Sequence, residues 1–184
     1  MRILIIAGPR TGSSELASRL SRYLSLNLYQ EPFNPRNGVV EYNLEDNAIV
    51  KCIVQQLPGV NNKPNHCVST KKEIVDFWKE YSKNFDKTIL LNRKIIKDQV
   101  ESWHYYLAAA IREQQEGNRV VYANKEYTYS RQDLSDYNLD KRYVLWTNQL
   151  IKRISHQTKI PISYYEDLYA TDGRKYRQFE EKIH

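Results

Sequence analysis

The residues most able to do chemistry fall into three groups along the chain. The first is Gly8-Pro9-Arg10-Thr11-Gly12-Ser13-Ser14, directly after the apolar run Ile3-Leu4-Ile5-Ile6-Ala7. A loop that opens into a helix presents free backbone N–H groups and the positive end of the helix dipole, a geometry that binds phosphate or sulfate. Gly8, Pro9 and Gly12 suit a tight turn, Ser13 and Ser14 are expected to cap the helix, and Arg10 puts a cation inside the turn. The second group is Arg93, at the end of the apolar run 88–92, with Ser102 nine residues later in a helical pattern. A strand-end arginine and a helix serine two turns on can converge on one phosphate. The third is Tyr165-Glu166-Asp167-Leu168, which again follows a short apolar strand.

The first loop departs from the G-x-x-x-x-G-K-[ST] nucleotide-binding pattern. Three residues separate Gly8 from Gly12, and Ser13 stands where the lysine would be. A nucleotide kinase or ATPase is therefore the weaker reading.

Positioning these groups requires strands that end where helices begin, and the patterning supplies them. Buried-type strands are expected over 3–7, 26–29, 48–54, 88–92 and 161–164. Helices are expected over 14–26, 70–84 and 98–115, from Asp133 or Asp140 to 156, and over 173–183. Thr70 with Glu73 three residues on is a capping box. Residues 119–129 read as a hairpin or loop. Strands alternating with helices predict an α/β fold: a P-loop-like three-layer domain over residues 1–184, with a mostly parallel sheet of about five strands flanked by helices. Ligands of such sheets sit at the carboxyl ends of the strands, where Arg10, Glu31, Arg93 and Tyr165 are all expected.

Composition narrows the partners. The 184 residues are 41% hydrophobic, ordinary for a folded domain with a sizeable core. Net charge is +6 and the pI about 9.2, which favours an anionic ligand. The cations are spread along the chain and no aromatic RNA-binding signature is present, so nucleic acid is not expected. Cys52 and Cys67 form no metal-ligand spacing, so no metal is expected and buried reduced thiols in a cytoplasmic protein are. No signal peptide or transmembrane segment is expected.

Taken together and in order, the three groups resemble the sulfotransferases that use 3′-phosphoadenosine 5′-phosphosulfate (PAPS). The resemblance covers residues 1 to about 170. It implies that Pro9, Arg10, Thr11, Gly12, Ser13 and Ser14 cradle the 5′-phosphosulfate, that Arg93 and Ser102 hold the 3′-phosphate, and that Tyr165 lies on the adenine side. The P-R-T-G-S-S spelling is most similar to the bacterial carbohydrate and tyrosylprotein branches. Those branches take their base from a glutamate just after the second strand, which makes Glu31 in Tyr29-Gln30-Glu31-Pro32-Phe33-Asn34 the implied base, with Arg10 as its catalytic partner. The implied activity is transfer of a sulfuryl group from PAPS to a hydroxyl acceptor, a carbohydrate or small molecule rather than a protein. The glycine-rich C-terminal loop of the cytosolic steroid and phenol branch is missing. Segments for an acceptor reduce to 34–47, 57–69 and 117–131. A nucleotide-binding module without turnover is the alternative, and neither oligomeric state nor acceptor is legible.

Overall fold

The computed structural model describes residues 1–34, 47–58, 69–115 and 131–169. The expected hairpin over 119–129, the helix over 173–183, Cys67 and all but the end residues of the three acceptor segments lie outside them.

Five strands form one all-parallel sheet in the order β2-β3-β1-β4-β5, with β1 Arg2–Ala7, β2 Asn27–Gln30, β3 Ala48–Ile53, β4 Lys87–Asn92 and β5 Ile162–Tyr164. β1 is central because its five apolar side chains, Ile3 to Ala7, are wholly buried by layers on both faces. On one face Ile3, Ile5, Ala7, Ile49 and Leu91 pack against Leu16, Ala17 and Leu20 of α1 (Ser13–Leu24). On the other, Leu4, Ile6, Val50, Cys52 and Leu90 pack against α2 (Lys71–Tyr81) and α4 (Arg131–Thr158), through Ile74, Trp78, Leu150, Ile151 and Ile154. Burial pushes the Cys52 thiol well above its ordinary range, so it stays a neutral core group. α3 (Ile96–Gln115) leans on α4 through Val100, Trp103 and Val144, and the single turn α5 (Tyr165–Leu168) follows β5. Among the described residues, no helix is long and apolar enough to cross a membrane.

The three-layer α/β reading holds, and the capping box at Thr70 and Glu73 is formed in both directions. The differences lie at element ends. Ser13 and Ser14 do not cap α1 from outside. They are its first two residues, and the cap position is Gly12, with no side-chain cap bond. α1 stops early because Ser25 turns left-handed (φ 53°) and sends its N–H back to Ser21. α3 begins at Ile96, two residues before Asp98, because a distant carboxylate holds the N–H groups of the two residues that lead into it. Glu166 Oε2 accepts from Lys94 N at 2.9 Å, and Oε1 from Ile95 N at 3.1 Å. No local signal at 94–98 announces that partner. The helix expected from Asp133 or Asp140 to 156 also extends outward, running from Arg131 to Thr158.

Substituting Thr70 by Ala removes one half of the capping box. Urea denaturation is expected to show a loss of about 1 kcal/mol with an unchanged m-value; an unchanged midpoint would mean that α2 holds its first turn without the cap.

Candidate functional site

Strand direction fixes where the site lies. The carboxyl ends of β1, β3 and β4 meet at one edge of the sheet, with connections leaving β1 and β3 in opposite directions around β1. The β1–α1 loop crosses this edge and is held from beneath. Thr11, wholly buried, donates its hydroxyl to Gly8 O at 2.9 Å. Gln99, also wholly buried, donates Nε2 to Pro9 O at 2.7 Å and accepts from Asn148 Nδ2 at 3.0 Å. A Cβ on Gly8 would come within 3.2 Å of Gln99 and 3.3 Å of Asn148, so the loop fits only with glycine there or with movement of both amides. Gly12 is tighter still. Its φ is 73°, and a Cβ would stand 2.6 Å from the Tyr165 ring. Tyr169, stacked on Tyr165 at 4.5 Å, donates its hydroxyl to Gly12 O at 2.9 Å. Above these supports Ser13, Ser14 and Glu15 open α1, and their N–H groups have no acceptor within the helix.

Two guanidiniums flank the loop. Arg10 Nε donates to Ser102 Oγ at 3.0 Å, and its Cζ lies 5.4 Å from the centre of the Tyr106 ring. Arg93 lies over Tyr165 at 4.4 Å and reaches Arg10 O through Nη1 at 3.5 Å. Its Nε is buried without a hydrogen-bond partner, and the nearest carboxylate oxygen, Glu166 Oε1, is 3.8 Å away. Glu166 itself is committed to the start of α3. Burial raises its pKa, and the Lys94 and Ile95 N–H groups and Arg93 outweigh that to hold it below the usual carboxylate range.

The third part is a charge pair that sequence inspection missed. Lys51, 1% exposed in the middle of β3, forms an ion pair and hydrogen bond with Glu31 Oε1. Glu31 Oε2 accepts from Gln56 Nε2 and Asn34 Nδ2, each at 2.9 Å. Burial pushes the Glu31 carboxyl up. The Lys51 ammonium and the hydrogen bonds from Gln56, Lys51 and Asn34 overcome it, leaving the pKa below the ordinary value. Glu31 N also donates to Lys51 O, at 2.6 Å. Phe33 of the same turn is seated among Phe77, Trp78 and Tyr81. A lysine inside the otherwise apolar stretch Ala48-Ile49-Val50-Lys51-Cys52-Ile53 was the available signal.

The ten residues to which the resemblance assigns a role all line one cavity of about 750 Å³: Pro9, Arg10, Thr11, Gly12, Ser13, Ser14, Glu31, Arg93, Ser102 and Tyr165. Their roles differ. Thr11 and Pro9 spend their side-chain hydroxyl and carbonyl on the loop itself. Ser102 sits on Arg10 rather than beside Arg93. Gln55, Trp103, Leu107 and Tyr143 also line the cavity. Among the described residues, four that are not glycine have left-handed backbone. Ser25 and Lys159 do so at helix ends, whereas Arg10 (φ 57°) and Glu31 (φ 50°) do so in the cavity. Strain of this kind, of order 1–3 kcal/mol per residue, collects at functional sites. No known protein-family model and no curated protein matches the chain.

Two outcomes follow from this geometry. Arg10→Gly is expected to be more stable than Arg10→Ala by about 1 kcal/mol in urea denaturation, since only glycine adopts that φ without strain; equal midpoints would mean that the left-handed turn is not held in solution. Lys51→Met should destabilise at neutral pH by up to about 3 kcal/mol, below the full cost of splitting a buried pair because Glu31 keeps 24% of its side chain exposed. The variant loses the Lys51 charge and hydrogen bond that help to lower the Glu31 pKa and keeps those of Gln56 and Asn34, so that pKa rises. The wild-type advantage is then full above the usual carboxylate range and shrinks as pH falls through the depressed Glu31 pKa. Parallel stability–pH profiles would contradict the pairing.

Proposed function

We propose that this protein is a sulfotransferase, which moves a sulfuryl group from PAPS to the hydroxyl of a carbohydrate or small molecule. The observation that carries the reading is the pairing of opposite chemistries in one cavity: a two-arginine anion cradle, and a carboxylate kept ionised by a buried lysine. The chemistry of the residues present suits a 3′,5′-bisphosphorylated nucleotide. Arg93 Nε is buried and unpartnered, and the N–H groups of Ser13 and Ser14 have no acceptor within α1, so unmet donors stand on the loop side of the cavity. Arg93 would hold one phosphate, and Arg10 with the N–H groups of Ser13 and Ser14 the other. Tyr165 offers a ring beside them.

PAPS supplies the activated sulfuryl group; the chain supplies position and charge. Arg10 and the N–H groups at the start of α1 form a fixed positive field where a leaving phosphate gathers charge. Glu31 takes the acceptor's proton. Its low pKa makes it a weak base, and it is unprotonated throughout the neutral range. A loose transition state like that of phosphoryl transfer asks for little deprotonation in advance, so availability counts for more than basicity. The buried, free Cys52 is in keeping with a reducing, cytoplasmic setting.

Calorimetry with 3′,5′-bisphosphoadenosine and with AMP separates this reading from a plain nucleotide module. The bisphosphate should bind more tightly by about 2–4 kcal/mol, the contribution of charge-assisted bonds to a second phosphate; equal affinities would remove the cradle. Transfer is then tested in Glu31→Gln combined with Lys51→Met, which removes both charges and leaves no stranded ammonium. The double variant should keep its affinity for the bisphosphate and lose transfer by roughly 100-fold. Full activity would assign the proton to another group.

A further inference from the structure

The cation of Arg10 is held without being neutralised. Among the described residues no carboxylate lies within ion-pair distance of it. Its side-chain partners are a hydroxyl, Ser102 Oγ at 3.0 Å, and a ring face, Tyr106 at 5.4 Å. Both partners come from α3, four residues apart and so on one face of the helix. An acid in either place would hold the guanidinium as well and cancel its charge. A hydroxyl and a π-face leave the full charge directed into the cavity.

The ring itself is braced. Tyr106 stacks on Trp103 (5.5 Å, 30° between planes), Trp103 on Tyr143 (5.0 Å, 30°), and Tyr143 on Trp146 (6.2 Å, 28°). The rings are paired one turn apart on α3 and one turn apart on α4, and the central one, Trp103, is 9% exposed. Arg10 thus ends a column of four rings that spans two helices. Packing of α3 on α4 sets the tilt of the last ring, and that ring sets where the cation stands. Without this column a long side chain on a loop would sample many rotamers.

The geometry points to Tyr106 as a positioning residue: it acts through Arg10, holding the guanidinium charged and aimed at the reacting centre. This rests on the reading that Arg10 meets charge there. The role belongs to the ring face, over which the guanidinium lies, and phenylalanine is therefore expected to serve equally.

The test compares Tyr106→Phe with Tyr106→Leu and Tyr106→Gln, two replacements that keep the helix and remove the ring. The first readout is the Arg10 Nε–H resonance, which needs no activity. Wild type and Tyr106→Phe should share a ring-shifted, slowly exchanging signal; in Tyr106→Leu and Tyr106→Gln it should move to the position of a solvated arginine. An unmoved signal in both overturns the proposal. The second readout is transfer. The ringless variants should lose of order tenfold to a hundredfold in kcat, with the donor KM within about threefold, as expected when a group is misplaced by a fraction of an ångström. Loss in Tyr106→Phe as large as in Tyr106→Leu, or kcat within about threefold in both ringless variants, also overturns it. If the resonance responds as stated while wild type sulfates no acceptor, the positioning stands and the sulfotransferase reading is the one that fails.

Discussion

An ammonium buried at the centre of a sheet must find a counter-ion, and much of the site follows from how Lys51 finds one. Removing a charge from water costs several kcal/mol even after relaxation, so Lys51 in β3 is tolerable only with a carboxylate in contact. Glu31 supplies it from the neighbouring strand's end, and the backbone there is tied to the same residue, Glu31 N to Lys51 O. The turn that carries Glu31 has no freedom left. It is pinned by the charge pair, by Asn34 and Gln56, and by Phe33 among the aromatic side chains of α2. A left-handed glutamate before proline is a poor choice for a loop that is merely a loop. It is a consistent one where the carboxylate has to reach a lysine behind it and a cavity in front.

The two arginines of the cavity follow a different rule. Lys51 is neutralised by direct contact, whereas Arg10 rests on a ring and a hydroxyl, and Arg93 on a ring with its Nε unmet and Glu166 Oε1 3.8 Å away. Within one cavity the chain therefore separates a cation in contact with its carboxylate from two that are not. The aromatic residues make this possible, because a π-face attracts a guanidinium without cancelling its net charge.

What could be read in advance follows the range of the interactions involved. The strands β1, β3 and β4 were legible because a strand buried on both faces must be an unbroken apolar run. The loop from Gly8 to Ser14 was legible because glycine, proline and hydroxyl residues announce a strand-to-helix turn. Ser102 was expected beside Arg93; it lines the same cavity but contacts Arg10, a contact that joins residues 92 apart and leaves no mark in either segment. The early start of α3 depends on Glu166 across 72 residues, and the locking of Pro9 depends on Gln99 across 90. Lys51 was visible as a charge in an apolar strand, but its partner was not, because register between β2 and β3 decides which carboxylate it meets.

The contact between Tyr169 and Gly12 joins residues 157 apart, and Tyr165 fills the space that a side chain at Gly12 would need. During synthesis the first loop is therefore exposed long before the residues that pack on it exist. β1 and β3 can pair early, while the cradle stays incomplete until β5 docks on β4 and brings Tyr165, Glu166 and Tyr169 with it. Such long-range closure is slow and comes late in folding. The shape of this cavity is thus a late product of folding: a half-folded molecule keeps its apolar strands and its arginines, yet lacks the ring packing that fixes the Gly12 turn between them.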